Sequence, residues 1–251
     1  MRYLYVCLIL LAFGCGQGQT QSSETTATVP VTEFDTDRII THVVDLQRQK
    51  LTFFWRDEAN NNYGNFIRLR KTLTEKGETL RFAMNGGMYL KDGSPQGLFI
   101  QNGTVQNKVN RKASDYGNFY LQPNGIFYLT TEGKAIITRT DSFHMQDNIA
   151  FATQSGPMLV IDGKRHPIFT EGSQNVHFRN GVGILPDGRL LFALSKETIN
   201  FYDFSGFFLQ HGCQNALYLD GFVSRMYLPE KNWVQEDGQF GVIIAETVDN
   251  P

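Results

Sequence analysis

From residue 38 onward, short apolar or aromatic runs alternate with turn dipeptides, the pattern of strands joined by tight connections. Runs at 39–46, 51–55 and 80–84 predict strands, and a helical stretch at 65–76 separates the second from the third. Further on, Asn102-Gly103, Glu132-Gly133, Asp162-Gly163 and Asp187-Gly188 each lie beside strand-like residues (98–100, 125–129, 158–161, 190–194). Such pairs supply the positive φ that tight hairpins demand. A second helix is predicted over 198–211, where Ile199, Tyr202, Phe207 and Leu209 fall roughly on helical spacing, although Gly206 weakens it. Runs at 216–219 and 240–245 predict a last strand pair. No repeat of 20 to 50 residues is visible, which disfavours a solenoid or propeller. The expectation is an α+β fold: one domain over 34–251 with a mixed, mainly antiparallel, twisted sheet and a few packed helices.

Composition agrees with a sheet-rich domain, since the 251 residues include 20 Phe, 10 Tyr and 24 Gly against two Trp. Lys plus Arg number 23 against 25 for Asp plus Glu, so no net basic field exists to hold a nucleic-acid backbone, and a small-molecule or carbohydrate partner fits better. The N-terminus changes the picture more. Arg2 precedes an apolar run at 4–13 that ends in Ala12-Phe13-Gly14-Cys15, too short to cross a bilayer core, which takes about 20 apolar residues. This resembles a bacterial lipoprotein signal, which implies cleavage before Cys15 and lipidation of its thiol; an ordinary secretory signal cut nearby is the alternative. Residues 1–14 are then a leader, and 15–33, rich in Gln, Ser, Thr and Gly, carry the lipid and a flexible tether. The expected location is the cell envelope, periplasmic or outer-membrane-facing, with membrane contact through the lipid anchor only. Cys213 is left as the one thiol of the folded part, so no disulfide forms within it, and it reads as a small core residue. No C-x-x-C or H-E-x-x-H pattern marks a zinc site.

Four segments place glycine and polar residues directly after a strand-like run, where backbone can approach a ligand closely. They are Met84-Asn85-Gly86-Gly87-Met88-Tyr89, Gln154-Ser155-Gly156-Pro157-Met158-Leu159, His177-Phe178-Arg179-Asn180-Gly181-Val182-Gly183 and Leu217-Tyr218-Leu219-Asp220-Gly221-Phe222-Val223-Ser224. Singly each is unspecific. As a set in this order they resemble the phosphodiester glycosidase family, in particular its short bacterial, exopolysaccharide-biosynthesis-like branch. The resemblance runs over nearly all of 80–245, with Ser94-Pro95-Gln96-Gly97, Gly117-Asn118-Phe119, Pro123-Asn124-Gly125 and Cys213-Gln214-Asn215 also in register. One departure is Phe222, where many members carry a second glycine after Asp-Gly. The family's animal enzyme removes a capping N-acetylglucosamine from mannose 6-phosphate; its disulfides and extra domains are absent here, so its substrate does not transfer.

The resemblance implies hydrolysis of a sugar-1-phosphodiester at the anomeric carbon, releasing sugar and a phosphomonoester. Such chemistry wants a carboxylate near an oxocarbenium-like transition state and donors for phosphate. Asp220 is the first candidate for the carboxylate, and the fork of Arg179 suits phosphate oxygens. Ser155 with the amides of Gly86, Gly87 and Gly156 would form an anion-binding concavity. Asn85 and Asn180 would bind sugar hydroxyls or an acetamido group, Tyr89 would stack on the ring, and His177 would carry a proton. Gly221 and Ser224 complete the last segment. Each residue also has a packing reading: Asp220-Gly221 as an Asx turn, Arg179 as an ion-pair partner, His177 as a strand residue, Tyr89 as core. The sequence requires no cofactor; Asp220, Glu171 and Asn85 offer oxygen ligands to a divalent cation, and metal use stays open. The alternative to the hydrolase is a glycan-binding envelope lipoprotein without catalysis, involved in exopolysaccharide handling.

Overall fold

The described residues form sixteen strands and two α-helices. The strands are β1 (Ile39–Val44), β2 (Lys50–Phe54), β3 (Glu78–Gly87), β4 (Phe99–Gln101), β5 (Thr104–Asn107), β6 (Gly125–Thr130), β7 (Ala135–Arg139) and β8 (Ile149–Ser155). They continue with β9 (Met158–Ile161), β10 (Lys164–Arg165), β11 (Asn180–Ile184), β12 (Leu190–Ser195), β13 (Ala216–Tyr218), β14 (Met226–Leu228), β15 (Trp233–Val234) and β16 (Val242–Asp249). Helix α1 (Phe66–Glu75) lies between β2 and β3, and α2 (Phe201–Gln210) between β12 and β13. This computed structural model describes Met1, residues 34–221 and residues 223–250. Apart from Met1, the expected leader, Cys15 and the tether lie outside the described residues, as does Phe222. No helix among the described residues is long and apolar enough to cross a membrane.

The expected single mixed sheet is corrected to three sheets, in the orders β1-β12-β11-β13-β9-β10, β15-β14-β3-β16-β2 and β5-β4-β8-β6-β7. Every pairing in them is antiparallel. With only two α-helices among the described residues, the fold is mostly β. The physical reason lies in the connections: parallel pairing needs long crossovers, whereas Asn102 (φ 49°) with Gly103 (φ 73°) and Asp162 (φ 48°) with Gly163 (φ 72°) turn the chain straight back. The runs expected as a last strand pair do not pair with each other: β13 joins β11 and β9, while β16 joins β3 and β2.

One core unites the three sheets. Phe53 and Phe82 come from the second sheet, Phe127 from the third and Phe192 from the first. Phe127 lies 5.3 Å from Phe53 and 6.2 Å from Phe192, and Phe82 lies 5.1 Å from Phe192. Truncating such a residue to alanine costs about 3–5 kcal/mol. The alternate residues of the first sheet, Leu159, Leu191, Ala193 and Tyr218, face a second cluster with Phe204 and Phe208 of α2. Helix α1 covers the second sheet through Leu69 and Leu73 against Ala83 and Ile243.

Both helices start at an asparagine cap. The Asn65 side chain accepts from the Arg68 amide at 2.9 Å, and that of Asn200 from the Asp203 amide at 2.8 Å. The cap places the start of α2 at Phe201, three residues after the expected Thr198. Gly206 is tolerated in α2 for a packing reason: a Cβ there would come within 3.0 Å of Arg165, whose Nε donates to the Tyr202 carbonyl and the Ser205 hydroxyl. Cys213 is buried in the same cluster, as expected.

Candidate active site

The last residues of β3 are shaped by a bulge. Gly87 pairs with Val242 and Asn85 with Ile243, which leaves Gly86 as the extra residue. A Cβ on Gly86 would sit 2.4 Å from Cγ1 of Ile244, so glycine alone lets β16 approach this closely. The bulge delivers Asn85, fully buried, to the end of the first sheet, where β11 begins at Asn180 and β13 runs on to Asp220.

There the side chains lock together. Asn85 Nδ2 donates to Asp220 Oδ2 at 3.0 Å. Asn85 Oδ1 accepts from Asn180 Nδ2 at 2.9 Å and from the Arg225 amide at 2.9 Å, and the Asn85 carbonyl accepts from Asn180 Nδ2 at 2.8 Å. Asn180 Oδ1 accepts from the Asp220 amide at 2.8 Å. Two donors on Asn85 Oδ1 fix which way that amide faces, so its NH2 is committed to the carboxylate. Asn85 and Asn180 thus serve to hold Asp220, where a role in binding sugar hydroxyls was expected.

Asp220 is 5% exposed and opens on a cavity of about 340 Å³ that it lines with Met88, Tyr89, Lys91, Gln96 and Val223. Tyr89 stands in this wall, half-buried, with its hydroxyl donating to the Gln239 carbonyl. Burial, and then the Asp220 charge, raise the Tyr89 phenol above its ordinary range. Among the described residues of the lining, Asp220 is the only acidic one and Lys91 the only basic one. Sequence reasoning gave Lys91 and Gln96 no site role; Lys91 lies in the turn after Tyr89 and Gln96 in the bend that follows the Tyr89–Pro95 bridge, and their closeness to Asn85-Gly86-Gly87 was the available signal.

Arg179 requires a correction. A fork presented to phosphate was expected, but the residue is fully buried and its donors are committed inward. Nε donates to the Ile199 carbonyl at 2.7 Å, Nη2 to the Asn175 carbonyl at 2.8 Å and to Asn175 Oδ1 at 3.2 Å, and Nη1 to the Tyr218 hydroxyl at 3.1 Å. Its Cζ lies 3.5 Å over the Phe201 ring. None of these partners is a carboxylate, so burial works against the charge and Tyr218 partly restores it. The surface ion-pair reading of Arg179 is corrected by the same contacts.

The expected anion-binding concavity does not form. The Ser155 hydroxyl donates to the Leu219 carbonyl, Gly86 and Gly87 belong to β3, and the Gly86 carbonyl accepts from the Thr153 hydroxyl at 3.0 Å. Gly156 packs on Asn124, whose Cβ would be 2.5 Å from a Cβ at Gly156. Of these groups, Ser155 braces the segment that carries Asp220. The Ser224 hydroxyl does so too, by donating to the Asp220 carbonyl. Gly221 has a steric reason: a Cβ there would overlap the Tyr218 hydroxyl at 1.6 Å. His177 is exposed and exchanges backbone hydrogen bonds with Ile199 at 3.2 and 2.9 Å, the strand-residue reading. Glu171 is exposed, and among the described residues no three His, Cys, Asp or Glu side chains gather as a metal site would need.

A family model described as Phosphodiester glycosidase matches residues 78–245. The uncharacterized protein YigE of Escherichia coli (strain K12) is 36% identical over 188 residues, 74% of this chain and 73% of that protein. In fold, the chain is similar to the zebrafish N-acetylglucosamine-1-phosphodiester alpha-N-acetylglucosaminidase catalytic domain auto-inhibited by its pro-peptide. That match has a TM-score of 0.55 at 14% identity and covers 84% of each chain. A hypothetical protein from Synechocystis matches with a TM-score of 0.53 at 12% identity, over 84% of this chain and 59% of that one.

Proposed function

The chain belongs to the phosphodiester glycosidase family, and on that footing we propose that it hydrolyses sugar-1-phosphodiesters of envelope or extracellular glycans, with Asp220 as the carboxylate at the reacting carbon. The observation that carries this reading is the Asp220 carboxylate, held by Asn85 and facing a cavity that Lys91 also lines. In the reaction a water oxygen joins the anomeric carbon. The bond from that carbon to the bridging phosphate oxygen breaks, and its electron pair leaves with the phosphomonoester. One proton of the water stays on the new sugar hydroxyl and the other goes to the released phosphate or to solvent. Because a phosphomonoester is already a good leaving group, a second carboxylic acid is less needed than in ordinary glycoside hydrolysis. Asp220 is then free to steady positive charge on the ring or to orient the water. Lys91 takes the phosphate role first given to Arg179, Gln96 is a donor and acceptor for ring substituents, and Tyr89 forms the wall.

The lipoprotein-like leader supports a place for this activity in the cell envelope. The test is a panel of sugar 1-(p-nitrophenyl phosphates), N-acetylglucosamine first, run in water enriched in ¹⁸O, with and without EDTA. Glycosidase action puts the label in the sugar, whereas a phosphodiesterase puts it in the phosphate, which would refute the assignment. Asp220→Asn is expected to lower kcat at least about 100-fold, and Lys91→Ala to raise KM about tenfold through loss of a charge-assisted contact. Glycan affinity without turnover across the panel would replace the hydrolase with the binding lipoprotein.

A further inference from the structure

A guanidinium that is fully buried, cannot lose its proton and touches no carboxylate is costly to keep. What it does touch shows its use. The Arg179 backbone is pinned to the end of β12, its amide donating to the Ser195 hydroxyl at 2.8 Å and its carbonyl accepting from the Ser195 amide at 2.8 Å. From there Nη1 reaches the hydroxyl of Tyr218, itself fully buried, at 3.1 Å. Tyr218 is the last residue of β13, two before Asp220, and strand alternation turns positions two apart toward the same face. The chain then passes directly over the phenol. A Cβ on Gly221 would lie 1.6 Å from the Tyr218 oxygen and 2.6 Å from its Cζ, so the hydroxyl occupies the space a side chain at 221 would need.

We propose that Arg179 is a positioning residue acting through Tyr218: it pins the Tyr218 hydroxyl beneath Gly221, and that hydroxyl sets the place and charge of the Asp220 carboxylate. A phenol has one proton to give and lone pairs to offer. Nη1 takes a lone pair, which turns the proton away from the guanidinium and toward the side on which Asp220-Gly221 passes. The bound cation polarises the phenol and strengthens whatever bond that proton makes. Burial holds the phenol above its ordinary range, the Arg179 charge works against that, and the Asp220 charge adds to it. Arg179 therefore never meets the substrate, and the hydrolase reading enters only in that Asp220 is the group presented to it.

The experiment follows the Asp220 carboxyl directly, by a ¹³C-detected pH titration of the full chain, with the resonance assigned by its loss in Asp220→Asn. Tyr218→Phe keeps the ring and removes only the hydroxyl. It is expected to move the Asp220 midpoint up by about one pH unit, a tenfold change in proton affinity. Arg179→Met is expected to move it in the same direction, and to add nothing once Tyr218→Phe is present. An unchanged midpoint in Tyr218→Phe overturns the proposal, and so do additive effects of the two substitutions. If Arg179→Met does not fold, Tyr218→Phe alone decides. Where the chain turns over substrate, Tyr218→Phe should lower kcat and leave KM unchanged. Failure of the wild type to release sugar would remove the hydrolase reading and leave the titration result standing by itself.

Discussion

Replacing Asn85 by alanine removes three hydrogen bonds at once: one to the Asp220 carboxylate at 3.0 Å and two accepted at Oδ1, from Asn180 and from the Arg225 amide, each at 2.9 Å. A bond to a charged group contributes about 1.5–3 kcal/mol and a neutral one about 0.5–1.5, which brings the expected loss to about 2.5–6 kcal/mol. Against a typical domain stability of about 5–15 kcal/mol that is a large fraction. Asn85→Asp sharpens the argument. It keeps the acceptor but turns the donor into a second carboxylate facing Asp220, so at pH 7 it should cost more than Asn85→Ala. Protonating one of the two acids then lets them share a hydrogen bond, so the Asn85→Asp variant should regain stability as the pH falls toward 5. Urea unfolding followed by intrinsic fluorescence at both pH values measures each quantity. A loss below about 1 kcal/mol for Asn85→Ala, or an Asn85→Asp variant no worse than Asn85→Ala at pH 7, would refute the view that this amide exists to hold the carboxylate.

Three further outcomes are expected. His42 is buried, with Nε2 2.7 Å from Glu246 and Nδ1 3.5 Å from Glu230; burial opposes its charge, but the two glutamates win and raise it above 6.5, while His42 lowers Glu230 below 4.5. Stability from the raised histidine is complete below pH 6.5 and lost as pH rises through its folded value, and that from Glu230 is lost as pH falls below 4.5; thermal unfolding across pH should therefore be flatter on the alkaline side in His42→Gln. Gly221→Ala drives a methyl into the Tyr218 hydroxyl, and should cost at least about 1–3 kcal/mol by denaturant melting and reduce sugar release. The Cys213 thiol, pushed up to about 12 by burial, should resist Ellman's reagent in the native chain and react only on unfolding.

Much of the local structure was legible because its signals are local. Asn65 and Asn200 cap the helices they precede, and Asn102-Gly103 and Asp162-Gly163 sit at positive φ where hairpins turn. Which strands would share a sheet was not, since alternation reports a buried face and names no partner; 240–245 joined β3 and β2 through core packing around Ile244. At the site, the residue types were legible and their directions were not. Arg179 reads the same whether its guanidinium faces a ligand or an aromatic ring, and only Phe201 and Tyr218, distant in the chain, decide between them. Tyr218 fell inside the segment that holds Asp220, but nothing in the sequence gave it a role of its own.

The link from Asn85 to Asp220 spans 135 positions of chain and joins two different sheets. At about 5–20 residues per second, a ribosome releases Asn85 on the order of ten seconds before its partner exists. No shorter nascent piece holds the carboxylate in place, and no single sheet does either. The pair therefore forms late, and β16, which flanks Asn85 on β3, is made later still.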